Sequence, residues 1–126
     1  MKLRNLLAAT ALFGIAFGLA FLLLPAWAMG LYGITTNDAG TLAVRFFGGA
    51  LSGYGLLAYL SRGTNLAEAR RAEIPSFLLS FALGFVLSLI GQISAVVNPV
   101  GWAGVVIFAL FALAFGYFQF GKVGGE

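Results

Sequence analysis

The chain has 126 residues, 61% of them hydrophobic and only 9% charged, with a formal net charge of +3 and neither histidine nor cysteine. Soluble domains carry about 25% charged residues, so this composition argues against a water-soluble fold and points to an integral membrane class. Without Cys or His there are no disulfides, thiolate metal sites or imidazole ligands for haem or zinc, so no cofactor and no metal is expected.

Four apolar stretches, at about residues 6–24, 42–60, 75–97 and 101–120, predict four transmembrane helices in a single domain over residues 1–126. About 20 residues at ~1.5 Å rise cover a ~30 Å hydrocarbon core. The first stretch follows Lys2 and Arg4 and precedes Ala26-Trp27-Ala28, a pattern that a secretory leader also shows. Its apolar run exceeds the roughly 7–15 residues of a leader, which favours a retained span.

Pro25 ends that span, and the segment to Gly33 reads as a short interfacial helix with Pro in its first turn and Trp27 and Tyr32 at headgroup level. Thr35-Thr36-Asn37-Asp38 supplies capping residues for the second span. Between the second and third spans, Asn65 with Glu68 three residues on predicts a capping box and a helix from Leu66 to Glu73, before Pro75 opens the third span. The connection Asn98-Pro99-Val100 is so tight that the last two spans form an antiparallel hairpin.

Lys2, Arg4, Arg62, Arg70, Arg71 and Lys122 fall on one side, while residues 25–41 and 98–100 hold no Lys or Arg. The positive-inside rule then puts both termini in the cytoplasm of a bacterial inner membrane. These scattered cations read as a topology signal that also attracts anionic lipid, not as a nucleic-acid surface.

Small residues at four-residue spacing mark helix-packing or interface faces: Gly14 and Gly18, then Gly49 and Gly53 with Gly48, Ser52 and Gly55 beside them, then Ser80, Gly84 and Ser88. Such faces let backbones approach, inside one bundle or against another subunit. Phe108, Phe111, Phe115 and Phe118 line one side of the last span, as a packing or lipid-facing stripe or, with Tyr54, as a wall for a lipophilic ligand. Tyr54 needs a hydrogen-bond partner, for which the third-span serines are candidates.

Arg45 is the one Lys, Arg, Asp or Glu inside a predicted span. A mid-bilayer charge costs ~2.5–3.5 kcal/mol on insertion scales, so Arg45 is expected to act as a polar anchor, snorkelling to phosphate or pairing with Asp38 and Gln92, with Asn98 in the loop beside them.

Pro25, Gly33, the run Arg45-Phe46-Phe47-Gly48-Gly49-Ala50 and Gly55 resemble a group of small bacterial four-helix membrane proteins of the domain-of-unknown-function kind. That resemblance implies the span order and brings no catalytic or binding residues with it.

All four acids, Asp38, Glu68, Glu73 and Glu126, lie outside the spans, which argues against ion-coupled transport. No nucleophile, acid–base pair or metal set assembles, so no enzyme is expected. Two functions remain. One is a structural or accessory subunit, packed by its small-residue faces among other membrane subunits, in a bioenergetic complex for example. The alternative is a binding protein for a lipophilic molecule such as a quinone, carotenoid or lipid.

Overall fold

A computed structural model describes residues 2–122; Met1 and residues 123–126, Glu126 among them, lie outside it. The described chain is all helical: α1 (Leu3–Leu23), α2 (Pro25–Leu31), α3 (Asp38–Leu60), a 3₁₀ turn (Ser61–Gly63), α4 (Leu66–Ala69), α5 (Glu73–Ile93) and α6 (Gly101–Phe120). α1, α5 and α6 are long and apolar enough to cross a membrane. The expectation of four such helices is corrected to three. α3 has the length, but Arg45, Ser52, Tyr54, Tyr59 and its glycines dilute its apolar character.

Local chemistry explains the boundaries. Asn37 Oδ1 accepts from Gly40 N at 2.8 Å to cap α3, and Asn65 Oδ1 accepts from Glu68 N at 2.9 Å to cap α4. α4 stops at Ala69, short of the expected Glu73. Pro75 has no N–H to bond back to residue 71, so the chain resets over 70–72 and restarts with Pro75 in the first turn of α5, where no N–H is required.

α2 and α5 end alike. After α2, Gly33 N donates to Gly30 O and Ile34 N to Met29 O; after α5, Ala95 N donates to Gln92 O and Val96 N to Gly91 O. Both are Schellman closures, which need a left-handed residue. Gly33 takes it at φ +72°, whereas at the second closure Ala95 does so at φ +59°.

The long helices pack as two pairs, α1 on α3 and α5 on α6, while α3 and α5 barely meet. The α1–α3 seam is backbone against backbone. A Cβ on Gly14 would lie 2.8 Å from Gly55 Cα, and one on Gly48 would lie 2.6 Å from Leu22 N. Gly18 faces Ser52 and Gly48 O in the same seam. Gly49 and Gly53 have open space where a side chain would begin, so within the chain the contact belongs to Gly48, Ser52 and Gly55.

The α5–α6 seam is aromatic: Phe81 stacks on Phe111 at 4.8 Å and on Phe115 at 5.8 Å, and Phe77 on Phe115 at 5.2 Å. The pairs join at the end where α1 begins, through buried Leu3, Leu6, Leu7, Ile74, Phe77 and Phe118. There Arg70 Nε donates to Phe118 O at 2.7 Å and its Nη2 to Gly121 O at 2.8 Å, capping the negative end of α6. Leu12, Leu60, Leu87, Ile93 and Leu113 remain exposed, an apolar surface unlike that of a soluble helical protein.

Valine at Gly14 or Gly48 should overpack the seam and lower stability by about 1–3 kcal/mol, whereas alanine at Gly49 or Gly53 should change it little; denaturation in detergent followed by circular dichroism makes the comparison. Ala95→Gly should raise stability by about 0.5–1 kcal/mol in the same measurement, by relieving the left-handed alanine.

Candidate functional site

Because the pairs close at one end and part toward the other, an apolar cleft of about 220 Å³ opens near α2. α1 contributes Phe13, Phe17 and Phe21; α3 contributes Phe47 and Leu51; α5 and α6 contribute Ser88, Gln92 and Phe108. A second cleft of about 280 Å³ continues toward mid-helix and includes Tyr54, Ser80 and Gly84 in its lining. Phe13, Phe47, Leu51 and Phe108 belong to both. A Cβ on Gly84 would lie 2.7 Å from the Phe108 ring, so the missing side chain lets that ring lie on the α5 backbone as the partition between the clefts. The exposed side chains Phe47, Leu83 and Leu87 mark where the second cleft opens sideways, between α3 and α5.

The polar groups of the first cleft gather toward the α2 end. Gln92 Nε2 donates to Asn98 O at 3.0 Å and to Val97 O at 3.4 Å. Both partners are carbonyls, so the amide has only one workable orientation. Its Oε1 is buried and has no partner among the described residues. A buried acceptor left unpaired costs about 1–3 kcal/mol. Gly101 is required beside it, because a Cβ there would run into Gln92 Oε1 and Val97. Ser88 Oγ donates to Phe85 O at 3.1 Å and keeps its acceptor capacity.

Asn98 holds this end together. Its backbone N donates to Tyr32 O at 3.0 Å, its Nδ2 to Leu31 O at 3.2 Å, and its Oδ1 accepts from Val100 N at 3.1 Å. The α5–α6 connection is thereby tied to the end of α2 and fixes Tyr32 at the mouth of the cleft. Desolvation by burial pushes the Tyr32 phenol above its ordinary value of 10.0.

The residues singled out by sequence separate. Gln92, Ser88, Ser80, Gly84, Tyr54 and Phe108 line the two clefts. Phe111 and Phe115 pack inside the aromatic seam. Tyr54 meets Phe77 edge to face at 6.2 Å, and no serine bonds its hydroxyl among the described residues. The expected cluster of Arg45, Asp38 and Gln92 does not form: Arg45 and Asp38 are exposed and Gln92 bonds the 97–98 carbonyls. Arg45 points away because α3 turns its glycine face, not its arginine face, toward α1. Of the expected polar group only Gln92 and Asn98 meet, through Gln92 Nε2 and Asn98 O, and Gly101 was missed.

No family model, curated protein or solved structure matches the chain. The cleft offers apolar walls, the Gln92 amide, the Ser88 and Tyr32 hydroxyls and no carboxylate or amine.

A phenol with a raised pKa favours the fold below pH about 10, and that contribution is lost as pH rises through the folded value. Tyr32→Phe should therefore leave the melting temperature unchanged at neutral pH and reduce its fall in strong alkali, as a pH series of thermal melts would record.

Proposed function

We propose that the chain is a non-catalytic integral membrane protein that holds a lipophilic molecule between its two helix pairs. α3 serves as the fourth span in this reading, shielded along its glycine face by α1. Both termini lie in the cytoplasm of a bacterial inner membrane, on the side of Lys2, Arg4, Arg62, Arg70, Arg71 and Lys122.

The observation that carries the reading is the apolar cleft between the pairs, with Gln92 and its buried, unpaired Oε1 in the wall. An acceptor there selects a ligand with a hydroxyl or N–H donor at its head, such as a quinol, a polyprenol or a neutral lipid alcohol, with the tail passing Phe108 into the second cleft. Contiguous clefts of about 220 and 280 Å³ suit such a shape.

A second reading, an accessory subunit in a larger membrane complex, is favoured by the outer face of α3. Arg45, Gly49 and Gly53 follow at four-residue spacing and are all exposed, as a face for another membrane helix would be.

Purification in mild detergent followed by native mass spectrometry separates the two. Wild type should carry one small apolar molecule, and Leu51→Trp, which fills the cleft, should lose it with the melting temperature preserved. A protein that carries no such molecule but runs with stoichiometric partner chains would sink the binding reading and support the subunit.

A further inference from the structure

At the end of the molecule opposite the cleft, Lys2, Arg4 and Arg62 line one polar concavity of about 320 Å³, completed by Gly63, Thr64 and Asn65. Nearly sixty residues of sequence separate the first two cations from the third. They converge because Leu3 is buried in the core, which turns its neighbours Lys2 and Arg4 outward, and because the 3₁₀ turn with buried Ser61 packs on the first turn of α1. No carboxylate lines the concavity. α1 also starts there without a side-chain cap, which leaves its positive end unscreened.

Arg62 is held in place. Its Nε donates to Tyr59 O at 2.9 Å and its guanidinium carbon sits 3.9 Å over the Tyr59 ring, so its terminal nitrogens are presented without further ordering. Directly below, Arg62 and Tyr59 also border an apolar groove of about 370 Å³, floored by Ala8, Ala11, Leu12 and Ile15 along the outer side of α1. A basic concavity and an apolar groove thus share one arginine, with the polar part beyond the helix end and the apolar part along its length.

We propose that this is a binding site for an anionic phospholipid, with the phosphate on Lys2, Arg4 and Arg62 and one acyl chain in the groove. A free phosphate would use the three cations alone; the groove is what a lipid adds. The groove runs along the edge of the α1–α3 seam, where Ile15 meets Gly55, and is separate from the cleft between the helix pairs, so it shares with the proposed function only the membrane setting.

Native mass spectrometry of the detergent-solubilised full chain, titrated with phosphatidylglycerol, phosphatidylcholine or inorganic phosphate, tests it. Phosphatidylglycerol should be retained about tenfold better than phosphatidylcholine, and inorganic phosphate should bind far more weakly than either lipid. A variant with Lys2→Gln, Arg4→Gln and Arg62→Gln should lose that preference while melting like wild type without lipid. Ala8→Phe, which fills the groove, should weaken phosphatidylglycerol binding and spare phosphate. Arg45→Gln, Arg71→Gln and the cleft variant Leu51→Trp should bind phosphatidylglycerol as wild type does. Equal retention of the two lipids, an equal loss in Arg71→Gln, or undiminished binding by the triple variant would each overturn the proposal.

Discussion

The glycine seam between α1 and α3 is the contact on which the rest of the arrangement depends. Gly14, Gly18, Gly48 and Gly55 bring the two backbones so near that no Cβ would fit at any of the four. Within a bilayer there is no hydrophobic force between helices, and association rests on van der Waals contact and hydrogen bonds. A seam of this closeness supplies the first of these over several turns. It also fixes the rotation of α1, because a helix that presents Gly14 and Gly18 to one neighbour must present Phe13 elsewhere. Phe13 therefore reaches the aromatic rows, 5.4 Å from Phe111 and 6.1 Å from Phe81.

The second pair is held by a different chemistry, and the mismatch makes the cleft. Stacked rings keep α5 and α6 apart by a side-chain layer, whereas glycines let α1 and α3 nearly touch. Two pairs of such different thickness close fully only where large buried side chains fill the gap, at the end with Leu3, Leu7, Phe77 and Phe118. Toward α2 that filling runs out. What joins the pairs there is hydrogen bonding through Asn98, with Gln92 beneath it, and the space between stays open and apolar. Gln92 in the cleft wall is bonded to the same connection that Asn98 ties to α2, so the polar wall and the mouth of the cleft form one network.

Much of the helical order was legible in the sequence, because hydrophobic stretches, Asn caps and prolines act locally. Asn65 caps where it was expected to, Asn37 and not Asp38 takes the cap of α3, and Pro25 and Pro75 stand in first turns. Faces were harder. Gly48 and Gly49 are neighbours about 100° apart on the helix, so spacing alone could not say that the seam uses Gly48, Ser52 and Gly55 rather than Gly49 and Gly53. The same rotation carries Arg45 outward and dissolves its expected partnership with Asp38 and Gln92. Long-range polar contacts left no local trace: Arg70 counted as one more basic loop residue, yet it caps α6 across about fifty residues of sequence. The apolar weight of α3 was also overstated, since its glycines, tyrosines and Arg45 leave three helices, not four, that are long and apolar enough to cross a membrane.

The closeness of α1 and α3 can be read directly, without adding a side chain to the seam. A Cβ on Gly14 would lie 2.8 Å from Gly55 Cα, so the α-hydrogens of these two glycines are near enough for a nuclear Overhauser contact. In the full chain, labelled at glycine and held in detergent micelles, a cross-peak should therefore join the α-hydrogens of Gly14 and Gly55. Its absence once both resonances are assigned, or its appearance only between chains in a mixed-label sample, would contradict the seam and with it the placement of both clefts.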